Sequence, residues 1–345
     1  MAEDDVVAAA RAGDRSAFAV LVRRHQRELR VHCYRMLGSF DESEDLVRET
    51  FVRAWKNLPG FDGRSSMRAW LYRLATSACF DFIDGRARRV LPHEVSPPSE
   101  PWDARPPQTD IAWLQPFPDQ LWEPAEPGED EPDAAAVTRE TIELTFLTAI
   151  QHLPPRQRAV LILRDVLGWT AKQTAVIVNG TVASVNSASQ RARATVRELL
   201  PIRRPGRAAD AEPTEQELLV LRHYMDAIER ADLDAMAGLM AEDIRVTMPP
   251  YPMWFQGRDT VVGALAAGWD VDSSAYLGTL RLIETQANRQ PAAAAYVRSP
   301  GDSEYRALAI SALRIEDGRI VEMTAFHDTA LFTAFELPET YRALN

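Results

Sequence analysis

Apolar residues recur at helical spacing through most of the first 90 positions. Phe18, Leu21, Val22 and His25 share one face, and Leu46, Val47, Phe51 and Trp55 share another. The stretch LPGFDGRSS breaks this pattern with Pro59, Gly60 and Gly63, so it predicts a loop. A further helix is predicted from Met67 to Arg86. Residues 140–200 are helical again, and GWTAKQTAVIVNGTVASVNSASQRARATVREL has the form of a helix-turn-helix. Ala171, Ala175 and Val178 are expected to line the inner face of its first helix. Asn179-Gly180 supplies the turn, since both residues tolerate positive φ. In the second helix Val182, Val185, Ser189, Ala192 and Val196 are expected to face the core.

After residue 213 the pattern changes. Two amphipathic helices come first, carried by Leu218, Leu221, Met225 and Ile228, then by Leu233, Met236 and Met240. Strand-like alternation follows, with Ile244, Val246 and Met248 against Arg245 and Thr247. ALAISALRIEDGRIVEMTAFHD is two strand runs joined at Asp317-Gly318, a hairpin signal. Helices followed by a curved antiparallel sheet predict an α+β domain.

Between the helical blocks, residues 91–136 are rich in proline and acid and cannot build a core of their own. They read as an extended linker. Trp102, Trp113 and Trp122 do not suit a solvated tether, so part of it is expected to lie against a domain or a partner. Charge follows the same boundaries. Residues 11–90 carry 16 Lys/Arg against 10 Asp/Glu, 91–136 carry 1 against 11, 137–206 carry 10 against 4, and 207–345 carry 12 against 22. Basic blocks suit a polyanion. Acidic ones suit basic partners, shield the basic blocks within the chain, or only aid solubility.

Several function classes drop out. No run of about 18 apolar residues predicts a membrane span. The acidic start MAEDDVVAAARAGD is unlike a signal peptide. Cys33 and Cys79 are too few for a disulfide scaffold and are read as reduced core residues of a cytoplasmic protein. His25, His32 and Cys33 are too loosely spaced for a metal site, and no cofactor is expected. Two stretches carry residues suited to contact with nucleic acid. RSSMRAWLYRL, from Arg64 to Leu74, mixes arginines with rings. Ala183, Ser184, Ser187, Gln190 and Arg191 form a small and polar helix face, and Arg191, Arg193 and Arg197 can meet phosphates or base edges. The competing reading is an amphipathic helix with a solvated basic face.

Two long stretches carry a family resemblance. DESEDLVRETFVRAWKNLPGFDGRSSMRAWLYRLATSACFDFI resembles the second region of the extracytoplasmic-function (ECF) sigma factors of bacterial RNA polymerase. LTAIQHLPPRQRAVLILRDVLGWTAKQTAVIVNGTVASVNSASQRARATV resembles their fourth region. The C-terminal segment, ending in RIEDGRIVEMTAFHD, resembles the SnoaL-like cone fold related to polyketide cyclases and ketosteroid isomerase. The resemblance implies a multidomain chain. Two all-α domains, region 2 over 14–90 and region 4 over 137–203, precede an α+β SnoaL-like cone domain over 213–340.

It also implies partners and site residues. Core RNA polymerase would be met through its β′ clamp helices and β flap, the former by Asp45, Leu46, Arg48, Glu49, Phe51 and Trp55. Arg48 stands where the family usually has glutamine. The loop with Phe61, Asp62, Arg64, Ser65 and Ser66 would capture an unstacked base of the promoter -10 element. Arg68, Trp70, Arg73, Ser77 and Asp81 would adjoin it, Ser77 replacing a common asparagine. Ala183, Ser184, Ser187, Gln190, Arg191 and Arg193 would read the -35 element. Such a chain is not an enzyme, and the cone domain would regulate it. Tyr251, Trp254, Asp259, His327 and Asp328 could line a pocket for a small-molecule ligand. Two alternatives stay open: a cone domain with real turnover, and a helix-turn-helix regulator that never joins polymerase.

Overall fold

The computed structural model describes residues 3–122, 142–200 and 212–342. They fall into two compact units. Residues 3–89 combine with 142–200, and residues 90–120 combine with 212–342. Among the described residues no helix is long and apolar enough to cross a membrane.

The first unit is all helix. It runs α1 (Glu3–Arg11), α2 (Arg15–Leu37), α3 (Phe40–Asn57), α4 (Met67–Ile83), α5 (Leu144–Gln151), α6 (Pro155–Leu161), a π-helical turn (Ile162–Val166), α7 (Ala171–Ile177) and α8 (Val182–Leu199). Side-chain caps set the starts. Asp14 accepts from Ser16 N and Ala17 N, Ser39 from Glu42 N, and Ser66 from Ala69 N. Gly38, with φ 69°, ends α2. Leu21, Leu29, Cys33, Tyr34 and Met36 of α2 pack into a core with Ala54 of α3 and Leu71, Tyr72 and Cys79 of α4. Both cysteines are free and buried.

Arg158 of α6 reaches into this core and is only 4% exposed. Its Nη1 donates to Gln151 Oε1 at 2.6 Å and to Met36 O, and its Nη2 donates to Gln151 O at 2.8 Å and Leu153 O at 3.2 Å. Gln151 Nε2 donates to Arg35 O at 3.4 Å. Among the described residues no carboxylate takes part. Met36 O and Gln151 O lie at the C-terminal ends of α2 and α5, where unpaired carbonyls carry the negative end of the helix dipole. Burial still pulls the guanidinium down to about 10.

The second unit is the α+β domain. It contains α9 (Glu215–Glu229), α10 (Leu233–Leu239), β1 (Met240–Thr247), β2 (Trp254–Gln256), α11 (Arg258–Trp269), β3 (Thr279–Ala287), β4 (Gln290–Arg298), β5 (Tyr305–Glu316), β6 (Arg319–Phe326), α12 (Leu331–Ala334) and β7 (Thr340–Tyr341). The sheet order is β2-β1-β6-β5-β4-β3, with β7 on β5. Among the described strands β1–β6 is the one parallel pair. Asp317 and Gly318 both take positive φ, 50° and 75°, and close the β5–β6 hairpin as the sequence predicts. Asn288 and Arg289, at 57° and 60°, make a second hairpin turn that the sequence did not announce. Leu221, Tyr224 and Ile228 of α9 pack on Ile244, Phe255, Leu282, Ala293 and Leu313 from the strands.

Residues 90–120 lie against the α+β domain, as expected of part of the 91–136 stretch. Val90 N donates to Ala112 O and Leu114 N to Val90 O, both at 3.0 Å. Ser99 N donates to Trp254 O at 2.7 Å, Gln108 N to Pro250 O at 3.0 Å, and Trp254 Nε1 to Ser96 O at 2.8 Å. Asn288 exchanges hydrogen bonds with Phe117, Phe117 N donating to Asn288 Oδ1 at 2.8 Å and Asn288 N to Phe117 O at 3.0 Å. Arg289 N donates to both oxygens of Asp119, at 2.9 and 3.0 Å. Trp113, Leu114 and Phe117 are buried. A proline-rich ribbon builds no core but can lie on one that exists, with its free N–H groups meeting loop carbonyls. Charge does not drive this, because ribbon and cone are both acidic. Trp113 is buried and Trp122 half-buried, but Trp102 is 76% exposed, against the expectation for it.

Two outcomes follow. Arg158→Ala strands carbonyls at two helix ends and is expected to destabilise the first unit by about 3 kcal/mol. Hydrogen exchange should then rise at the last turns of α2 and α5; unchanged protection there would show that other donors serve those carbonyls. Burial pushes the Asp119 carboxyl up to about 6, so the folded chain holds this proton more tightly than the unfolded one. Its contribution is fully present below about pH 4 and is lost as pH rises through about 6, by at most about 3 kcal/mol. Asp119→Asn should flatten that decline in denaturant midpoints measured from pH 4 to 7.5.

Candidate nucleic-acid interface

The face of α8 predicted to meet DNA is open. Ala183, Ser184, Ser187, Gln190, Arg191 and Arg193 are all exposed, and so is Asn186, which the sequence reading passed over. Ala183 to Arg191 spans about 12 Å of helix, the width of a major groove. Thr181 and Ser184 cap this helix reciprocally, with Thr181 Oγ1 accepting from Ser184 N at 3.1 Å and Ser184 Oγ from Thr181 N at 3.0 Å. The Ser184 hydroxyl therefore serves the helix start. Arg193 is held in a fork by Asp165, Nε to Oδ2 at 2.7 Å and Nη2 to Oδ1 at 2.5 Å. Asp165 stands on the π-helical turn, whose extra residue re-aims the side chains it carries.

Two details of the helix-turn-helix depart from expectation. Asn179 takes φ 50°, but Gly180 keeps a negative φ. Gly180 is there for room: a Cβ would lie 2.9 Å from Arg156 Nη2 and 3.0 Å from Ser184 Oγ. That Nη2 donates to Val178 O at 2.8 Å and Asn179 O at 2.9 Å, tying down the turn. Val182 is 44% exposed rather than core, because it opens the helix beyond the packed face, where Val185, Ala188 and Ala192 sit.

On α3, Asp45, Arg48 and Glu49 are exposed. Arg48 pairs with Asp45 at 2.7 Å. Leu46 and Phe51 are buried, and Trp55 is half-buried with its ring 4.9 Å from that of Phe18. Leu46 and Phe51 turn inward with the helical period and Trp55 does so in part, so the outer side of this stretch is made by Asp45, Arg48 and Glu49. Val52, 53% exposed, is the apolar residue on the outer side. Its spacing of three and four from Glu49 and Arg48 was the available signal.

Around α4 the loop residues Asp62, Arg64 and Ser66 are exposed and Ser65 is half-buried. Asp62 Oδ1 accepts from Arg64 N at 3.0 Å, which shapes the loop. Phe61 and Trp70 are buried against each other, ring centroids 5.2 Å apart, and so cannot stack on a base in this arrangement. Arg73, Ser77 and Asp81 are exposed at four-residue spacing. Asp81 is engaged by Arg53, at 3.0 Å, whose other side takes Glu49 at 2.6 Å. Arg53 thus joins α3 to α4, a role the sequence did not reveal. Arg68 is half-buried and paired with Glu28 at 2.8 Å.

In the cone domain Tyr251 and His327 meet edge to face at 5.3 Å. Burial pushes His327 down to about 4, so it is neutral at ordinary pH. The other expected pocket residues do not join them. Trp254 is engaged by Ser96, Asp259 is exposed on the first turn of α11, and the Asp328 carboxylate accepts from Ala330 N at 3.2 Å.

Comparison with known proteins bears on these surfaces. Residues 21–89 match the model of Sigma-70 region 2, residues 143–196 that of Sigma-70 region 4, and residues 221–323 that of the SnoaL-like domain. The chain is 39% identical over 327 residues to the ECF RNA polymerase sigma factor SigG of Mycobacterium tuberculosis, covering 94% of this chain and 85% of that one. This chain belongs to the ECF sigma factor family. The chain is also similar to the ECF RNA polymerase sigma factor SigW of Bacillus subtilis, at 30% identity over 190 residues, 54% of this chain and 91% of SigW. The crystal structure of the M. tuberculosis ECF sigma factor SigJ matches with a TM-score of 0.59 over 93% of this chain and 100% of that one. At 19% identity that likeness is one of fold.

In this sigma factor Arg191 and Arg193 should behave differently. Arg191→Ala is expected to weaken binding to a duplex selected from random sequence by about 1–3 kcal/mol with the fold intact. Arg193→Ala also frees Asp165, so its loss of affinity should come with faster hydrogen exchange where α8 meets the π-helical turn. Identical exchange in the two variants would show that Asp165 does not position α8.

Proposed function

We propose that this sigma factor works in the cytoplasm as a non-enzymatic promoter-specificity subunit. It binds core RNA polymerase and directs it to promoters, and its cone domain modulates that activity. Residues 14–89 serve polymerase and the -10 element, and residues 142–200 serve the -35 element. The observation that carries the reading is the α8 face, an open row of small and polar side chains ending in Arg191, with the Arg193 fork fixed beside it. Phosphates set register and the row reads base edges. The docking surface is the exposed strip Asp45, Arg48, Glu49 and Val52. The loop 61–66 supplies Arg64 and polar backbone to an unstacked base, with Phe61 and Trp70 as its support. Opening the strands then draws on binding energy and needs no covalent step.

Run-off transcription from genomic DNA with core polymerase tests the whole reading. Charge reversal at Asp45 and Glu49 together should abolish retention of core polymerase and leave the circular dichroism spectrum unchanged. Retention of the doubly reversed protein would move the dock elsewhere. For the cone domain, removal of everything after Pro205 is a poor test, because it uncovers Trp113, Leu114 and Phe117. Tyr251→Ala with His327→Ala alters the domain and leaves that ribbon covered. Equal transcription by this variant and the natural chain would argue against a regulatory role for that ring pair.

A further inference from the structure

Between Val182 and Arg191 the exposed face of α8 is polar except at its first turn. Val182, Asn186 and Gln190 follow at four-residue spacing and are all exposed, so they share one flank of the helix. Asn186 and Gln190 carry amides. Val182, 44% exposed, carries two methyl groups, and Ala183 beside it adds a third. Single exposed apolar residues are common on protein surfaces, so exposure alone singles out nothing. Val182 differs in where it stands and in how firmly it is held.

Thr181 and Ser184 bracket it. Ser184 Oγ accepts from Thr181 N at 3.0 Å and donates to Thr181 O at 2.8 Å, and Thr181 Oγ1 accepts from Ser184 N at 3.1 Å. Behind them Arg156 Nη2 donates to Val178 O at 2.8 Å and Asn179 O at 2.9 Å, so the turn that leads into Val182 is tied to α6. Valine adds its own stiffness, because a side chain branched at Cβ keeps one strongly preferred rotamer in a helix. The two methyl groups are therefore held in place before any partner arrives, and little side-chain entropy is left to lose on contact.

A helix-turn-helix sets the N-terminal residues of its second helix against base edges in the major groove. Donors and acceptors on those edges suit Asn186, Gln190 and Arg191. The one methyl group there is the C5-methyl of thymine. An aliphatic side chain has no other specific partner in that groove.

We infer that Val182 is a specificity-determining residue that reads a thymine of the -35 element by packing on its C5-methyl group. Val182 and Gln190 lie about 12 Å apart along the helix, so the amides fall on neighbouring base pairs. Cytosine in place of that thymine would set its amino group against methyl groups that cannot accept a hydrogen bond, at a desolvation cost. This inference rests on the proposal that α8 reads the -35 element.

The test uses holoenzyme, the full chain with core RNA polymerase, and promoter duplexes selected from a pool randomised in the upstream region. Each thymine of the selected upstream element is replaced in turn by deoxyuridine, which removes the methyl group alone. One replacement should weaken binding by the natural chain about fourfold, the factor carried by one buried methyl group. Val182→Ala, with an unchanged circular dichroism spectrum, should bind the unmodified duplex less tightly by a similar factor and lose its response to that replacement. Gln190→Ala and Arg191→Ala should weaken binding yet keep the response. Deoxyuridine effects that are equal with valine or alanine at position 182 would overturn the inference, as would a selected element with no thymine in the stretch that α8 protects. Weaker binding by Gln190→Ala would in either case leave the -35 reading standing. If Val182→Ala, Gln190→Ala and Arg191→Ala all bind as the natural chain does, both readings fail.

Discussion

A buried guanidinium without a carboxylate is tolerated only where several fixed dipoles converge on it. Arg158 meets that condition because the C-terminal carbonyls of α2 and α5, the Gln151 side chain and Leu153 O all point at one place. The arrangement cannot be met piecemeal. If α2 ended one residue earlier, or if the turn after α5 opened, a charge would be left in the core with too few acceptors. Arg158 therefore fixes where the residues of 142–200 stand against α2 and α4. From there the loop after α6 delivers Trp169 to α4, and the π-helical turn delivers Asp165 to Arg193.

The consequence is a division between surfaces that are ready and surfaces that are not. The α8 face and the outer strip of α3 are exposed as they stand. The side of α4 proposed to meet the -10 element is not: Phe61 and Trp70 pack on each other, and Arg68 is occupied. Arginines on one chain can thus be poised to different degrees. Arg64 and Arg73 are exposed, Arg193 is exposed but aimed, and Arg68 is enclosed. Ion pairs at exposed positions such as Arg48–Asp45 add little stability, so their weight lies in orientation rather than in holding the fold.

Much of this was legible. The helices α2, α3, α4, α7 and α8 show in the 3.6-residue period and in the Asp, Ser and Thr residues that cap them, and Asp317-Gly318 marks its hairpin. The β3–β4 hairpin was not legible, for two reasons. Arginine at the second positive-φ position is not a turn signal. Ala292–Ala295 lies buried on both faces and so shows no alternation, while alanine by itself favours helix. The site was harder than the fold. The sequence supplies Arg68, but not Glu28 forty residues earlier on an adjacent helix. Leu46 and Phe51 share one apolar face in the helical period, and the family resemblance that assigned them to docking did not separate that inner face from the outer one. The 91–136 stretch was legible as coreless, and composition could not say whose surface it would share.

Residues 90–120 have a consequence for how such a chain is inherited. The cone domain owns two stretches, one between the sigma blocks and one after them. A gene fusion that supplied only the C-terminal stretch would leave the Asn288-Arg289 turn without its partners. Loss of that stretch through a premature stop would leave Trp113, Leu114 and Phe117 as a sticky ribbon between two functional halves. The module therefore cannot be gained or lost as a bead at one end of a string. Its two parts are bound to change together, with Asn288, whose side chain and backbone both hold the main chain of Phe117 171 positions earlier, as the residue the ribbon most constrains.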